Sequence, residues 1–133
     1  MRVFFDTNVL LDIALGREPF VQESLRAFEQ QRATGETPLI APHSLATFYY
    51  MVAKSYDSDR ARIAAEDLLT TAEVARFDHD SALRCNELEM ADFEDAMIVS
   101  AAMECEADCI LTRNELDFRN SPIPVLCPEA FHV

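Results

Sequence analysis

Short apolar runs alternate along this chain with longer stretches in which apolar residues recur every three or four positions. Val3–Phe5, residues 38–41, 74–77, Cys109–Leu111 and residues 124–126 are brief and partly β-branched or aromatic, as strands are. Between the first two, Phe20, Leu25 and Phe28 follow Pro19 and stop near Gly35, which predicts a helix with proline near its start and glycine beyond its end. Residues 44–56, 59–70, 80–88 and 93–106, rich in Ala, Leu, Glu and Arg, predict further helices. Strand alternating with helix implies parallel pairing through right-handed crossovers. The expected fold class is therefore α/β, three-layer α/β/α, with a central parallel sheet of about five strands. Asn120-Ser121-Pro122-Ile123-Pro124 reads as a turn into an edge strand, where a missing N–H does least harm. With only 2 glycines, no low-complexity tract and no internal repeat, residues 1–133 are expected to form one domain.

Acidic side chains interrupt the pattern at element ends. Asp6 follows the first apolar run, at the carboxyl end of a strand, which is where open parallel sheets bind ligands. Asp92 and Asp95 are spaced to share one side of the first turn of the helix that follows. Thr112, Arg113, Asn114 and Asp117 crowd the exit from Cys109–Leu111. Each group also has a purely structural reading. Asp6, Thr7 or Asn8 would cap the helix through Val9-Leu10-Leu11, Asp92 and Asp95 would form a capping box, and the third group would be a polar turn. Independent caps have no reason to converge at one sheet edge, so convergence is what separates the two readings. Glu94, about 100° around the helix from Asp95, is expected to be solvated.

Two unit charges ~4 Å apart repel by about 4 kcal/mol at an effective dielectric near 20, so converging carboxylates call for a cation. Oxygen-only ligands favour Mg²⁺ or Mn²⁺ over zinc, while His43, His79 and His132 show no ligand spacing and are expected at the surface or at caps. Such a metal suits hydrolysis of a phosphodiester, with Arg113 and Arg119 either contacting phosphate or pairing with nearby acids.

Charge narrows the substrate question. The chain carries 24 Asp plus Glu against 11 Lys plus Arg, a formal charge of −13, which excludes nucleic-acid binding through a broad basic surface. Any such contact must be local or carried by metal. Lys54 is the sole lysine, so the remaining cations are arginines, with a planar fork for phosphate or carboxylate. Cys85, Cys105, Cys109 and Cys127 lack zinc-ribbon or redox-motif spacing and are expected as reduced packing residues. No signal peptide, lipidation motif or membrane-length apolar run is visible, so a cytoplasmic location is expected.

These strings resemble the PIN domain, the metal-dependent ribonuclease fold of VapC-type toxins in toxin–antitoxin pairs. The resemblance rests on Phe4-Phe5-Asp6-Thr7-Asn8-Val9-Leu10-Leu11-Asp12, on Asp92-Phe93-Glu94-Asp95-Ala96, on Leu111-Thr112-Arg113-Asn114 through Asp117-Phe118, and on the tail from Asn120 to Leu126. It implies Asp6, Asp95 and Asp117 as metal ligands for Mg²⁺ or Mn²⁺, and Asp92 as a further catalytic carboxylate. Thr112, Arg113 and Asn114 are then the expected substrate-binding residues. It also implies an RNA substrate, a small antitoxin protein that covers the active site with a basic side chain, and a homodimer. Ser44-Leu45-Ala46-Thr47-Phe48-Tyr49-Tyr50 departs from the pattern: many PIN nucleases place a Glu in this second helix, and Thr47 falls near that position. Either metal binds more weakly or a nearby acid substitutes. Phe48, Tyr49, Tyr50 and Met51 are either an interface or ordinary packing.

A haloacid-dehalogenase-type phosphatase would need an Asp where Asn8 stands, and a response-regulator receiver domain needs a lysine late in the chain. The serious alternative is a catalytically weakened PIN-like domain that works as a protein- or RNA-binding module.

Overall fold

The three residues of strand β1 (Val3–Phe5) are all buried, and their alternation decides the layering. In the computed structural model, which describes residues 1–133, Val3 and Phe5 face one layer and Phe4 the other. On the first side they pack with Leu10, Phe28, Phe48, Val52 and Leu68, and the Phe5 and Phe28 rings meet edge to face at 5.2 Å. On the second side Phe4 joins Ile98, Val99, Ala101, Ala102 and Phe118. Ile40 and Leu111 follow Phe5, whereas Leu39 and Ile110 follow Phe4, so every long strand contributes to both layers.

The first layer holds α1 (Thr7–Leu15), α2 (Val21–Ala33), α3 (Pro42–Ser55) and α4 (Ser58–Thr71); the second holds α5 (His79–Arg84) and α6 (Phe93–Glu104). Between them lie β1, β2 (Leu39–Ile40), β3 (Glu73–Val74), β4 (Cys109–Leu111) and β5 (Val125–Leu126), in the order β3-β2-β1-β4-β5. Every pairing is parallel, with Phe4 opposite Leu39 and Phe5 opposite Leu111. The connection reverses direction between β1 and β4, which makes a switch point above the carboxyl ends of those two strands.

Several element limits differ from expectation. The expected strand at 74–77 is only Glu73–Val74, because its partner β2 supplies just two paired residues. Helix α2 starts at Val21 rather than at Pro19, and α3 starts earlier than Ser44, with Pro42 in its first turn. Residues 80–88 are not one helix. Asp78 and Ser81 form a capping box for α5, which ends at Arg84 and tightens into a 3-10 turn over Cys85–Glu87. Glu89 then takes a left-handed φ of 52°, and Asn120 Nδ2 donates to its carbonyl at 2.8 Å. Helix α6 stops at Glu104, two residues short of expectation, with Cys105 as its C-cap. All four cysteines are free thiols. No helix is long and apolar enough to cross a membrane.

Candidate metal centre

Asp6 continues the ladder of β1 by one bond, its N–H donating to Leu111 O at 2.9 Å, before the chain turns into α1. Its carboxylate is nearly buried: Oδ1 accepts the Thr7 N–H at 2.8 Å and Oδ2 accepts the Thr112 hydroxyl at 2.8 Å. The capping role and the place at the sheet edge thus belong to the same side chain. Burial pushes the Asp6 carboxyl up to about 6, against the opposing pull of the Thr112 hydrogen bond.

Helix α6 brings the second group. Asp92 caps it by accepting the Asp95 N–H at 3.1 Å, and Asp92, Glu94 and Asp95 each offer a carboxylate oxygen within 4.8 Å of the others. Burial, followed by the charges of Asp6, Asp92 and Glu94, pushes the Asp95 carboxyl up to about 7. The end of β1 and the start of α6 therefore share one negative field, and neither set of acids is an isolated cap. Asp117 is exposed and lines a cleft of about 420 Å³ together with Asp92, Asp95, Glu89, Arg119 and Asn120.

These shifts set a pH dependence. Asp6 and Asp95 bind protons more tightly in the folded chain than in the unfolded one, so between about 4 and 7 the native state holds the greater number of protons and its stability falls as pH rises. For buried Asp6 this amounts to about 3 kcal/mol. Half-exposed Asp95 acts in the same direction. Thermal melts of the metal-free protein from pH 4.5 to 7.5 should show a falling midpoint, and a midpoint rising over that range would contradict the convergence.

A profile of the PIN domain family matches residues 2–116, most of the chain. This chain belongs to the PIN domain family. Solved structures share its fold. The VapBC2 complex of Rickettsia felis, bound to a promoter DNA fragment, superposes with a TM-score of 0.75 at 20% identity, covering 96% of this chain and 98% of that one. VapBC-1 of nontypeable Haemophilus influenzae gives 0.75 at 15% identity over 97% and 99%. A toxin–antitoxin complex from Klebsiella pneumoniae gives 0.70 at 25% identity over 98% and 99%. No curated protein is significantly similar to the chain in sequence.

Within this PIN domain, several residues lie elsewhere than the sequence suggests. Glu94 is not simply solvated: Oε1 lies 3.2 Å from His43 Nε2 and 3.4 Å from Thr7 Oγ1, and Thr7 Oγ1 in turn is 2.7 Å from Ser44 Oγ. His43 stands in the first turn of α3 and is only partly exposed. Its ring sits edge-on to Phe77, both ring nitrogens are shut off from solvent, and Nε2 lies 3.2 Å from Glu94 Oε1 without the alignment of a hydrogen bond. The contact with His43 is the largest influence holding the Glu94 carboxyl below its ordinary range. The position of His43, at the helix start directly after β2, was the signal that could have found it, since that is another carboxyl end of the sheet.

Two expected substrate-binding residues are engaged inside the protein. Thr112 is completely buried and its hydroxyl is spent on Asp6. Arg113 turns away from the cleft to pair with Asp12, because successive residues leaving a strand point to opposite faces. Asn114 is exposed, with its N–H bonded to Thr112 Oγ1 at 3.1 Å. Arg119 does line the cleft, its Nη1 donating to Leu116 O at 3.2 Å. Thr47 is exposed on α3, and the aromatic stretch there is split: Phe48 is core, whereas Tyr49 and Tyr50 are exposed.

Proposed function

We propose that this PIN domain is a metal-dependent endoribonuclease, the toxin of a toxin–antitoxin pair. The observation that carries the reading is the approach of the α6 acids to the end of β1: Glu94 Oε1 lies 3.4 Å from the hydroxyl of Thr7, the residue after Asp6, and Asp92, Glu94 and Asp95 offer carboxylate oxygens within 4.8 Å of one another. Oxygen donors of this kind fit Mg²⁺ or Mn²⁺. Asp6, Asp95 and Asp117 would hold the metal, with Asp92 supporting it. Glu94, oriented by His43 and Thr7, is the nearby acid that compensates for the acid-free stretch of α3.

A bound ion of this type lowers the pKa of an attacking water and offsets charge on the leaving oxygen. The chain's own part is to fix the acids before metal arrives. The Thr7 N–H and the Thr112 hydroxyl set the rotation of Asp6, and Asp95 would hold an ion as the deprotonated carboxylate. Arg119, at the cleft, is the phosphate contact, a role that Arg113 cannot share while it is paired with Asp12. Closing the cleft to RNA is the role of a small antitoxin with a basic segment, for which a chain of charge −13 is electrostatically suited. The toxin–antitoxin complexes among the similar structures support that partner, and a homodimer in the cytoplasm completes the proposal.

The test is cleavage. Purified protein with Mn²⁺ should cut single-stranded RNA and lose the activity with a chelator. Tight Mn²⁺ binding with all RNAs left intact would instead favour the binding-module reading.

A further inference from the structure

Arg113 follows Thr112 in the chain, yet its guanidinium is anchored on α1. Nε donates to Asp12 Oδ2 at 2.7 Å, Nη2 donates to Asp12 Oδ1 at 3.1 Å, and the guanidinium carbon lies 4.0 Å from the centre of the Phe20 ring. Asp12 has no exposed surface. The Ser24 hydroxyl donates to it at 3.4 Å and Arg17 approaches to 3.9 Å. One carboxylate thus ties together α1, α2 and the exit of β4. A fork with two bonds and an aromatic stack fixes the guanidinium in direction and rotation, which an ammonium group would not do.

A buried ion pair is a poor device for stability alone, since an apolar pair of similar volume is often as good. What this pair supplies is position. Thr112, next in line, donates to Asp6 Oδ2, accepts the Asn114 N–H, and donates its own N–H to Leu126 O at 3.0 Å. We propose that Arg113 is a positioning residue of the acidic centre: clamped on Asp12 and Phe20, it holds the exit of β4 so that the Thr112 hydroxyl stays on Asp6 and fixes the rotation of that carboxylate. The role of Asp6 as a metal ligand rests on the function proposed above; the clamp itself does not.

Three variants of the full chain test it. Thr112→Val removes the hydroxyl and keeps the shape. Asp12→Leu combined with Arg113→Met removes both charges together, so no buried charge is orphaned and the chain still folds. Arg113→Lys keeps the charge and loses the fork. In the metal-free protein, amide exchange at Thr7 and Asn114 should accelerate in the paired variant and in Arg113→Lys, while amides within α6 keep their protection. Calorimetry with Mn²⁺ should show affinity lowered on the order of tenfold in all three. Adding Thr112→Val to the paired variant should lower it no further, because both act through one hydrogen bond. Unchanged exchange at Thr7 and Asn114 in the paired variant, or losses of affinity that add, would overturn the proposal whatever the melting temperatures. If the native chain binds no Mn²⁺, the metal-centre reading falls, and the exchange result alone decides the clamp.

Discussion

Replacing Asp95 with Asn should abolish metal-dependent RNA cleavage and, at pH 7 without metal, make the protein more stable. The two effects run in opposite directions, which an ordinary structural residue would not produce. Asp95 carries its raised pKa because of burial and then because of Asp6, Asp92 and Glu94, so a neutral side chain of the same shape relieves those three acids. On the proposed function, the same change also removes one oxygen from the set that would hold the ion. Loss of a ligand should cost about a thousandfold or more in rate, about 4 kcal/mol of barrier. Asp6→Asn should lose cleavage in the same way and keep the start of α1, since the amide oxygen can still accept the Thr7 N–H, but the Thr112 hydroxyl loses its acceptor and the gain in stability should be smaller. Cleavage assays with Mn²⁺, paired with melts in a chelator, give both readings from one preparation. A lower melting temperature for Asp95→Asn in the chelator would mean that its charge is not opposed by its neighbours.

Arg113→Ala should be the most destabilising single substitution near the site, at about 3–5 kcal/mol. It leaves the Asp12 carboxylate without its two-point partner in a position with no exposed surface, and Arg17, at 3.9 Å, is too distant to replace the fork. Against a typical domain stability of about 5–15 kcal/mol, that is a large share of the total. Asp12→Asn should cost less, since the partly exposed Arg113 side chain can turn its charge toward water. Urea unfolding of the two variants compares them directly. Equal losses would show that Arg113 is as trapped as Asp12.

What the sequence made legible was the part governed by period and by element ends. Alternating apolar runs imply a parallel sheet, and Asp6 directly after Val3–Phe5 implies a carboxylate at its working edge. The capping readings of Asp6 and Asp92 proved compatible with the site, because a helix that starts at a sheet edge carries its cap to the same edge. Glu94 was illegible for a different reason. Its angle around α6 points it away from Asp95, but a Glu side chain is long, and its partners Thr7 and His43 come from α1 and α3, whose approach is a tertiary fact. His43, which the absence of ligand spacing among the histidines assigns to the surface or to a cap, has a carboxylate neighbour in the structure. For Arg113 the sequence leaves phosphate contact and pairing with a nearby acid open; the structure gives the pairing, with Asp12, and the two-residue period of a strand is what separates Arg113 from Thr112 by face.

The pairing of Phe5 with Leu111 places Asp6 level with Thr112. Strands slide past one another only in whole-residue steps of about 3.3 Å, and each odd step exchanges the two faces. Slipped by one position, β1 would bury Phe5 in the layer of α6 and leave the Asp6 carboxylate without its hydroxyl donor. Alignment of Asp6 with its hydroxyl donor is consequently a digital event: no gently displaced sheet exists in which Thr112 almost reaches the carboxylate, and a molecule that has zipped β1 onto β4 correctly has already joined the two.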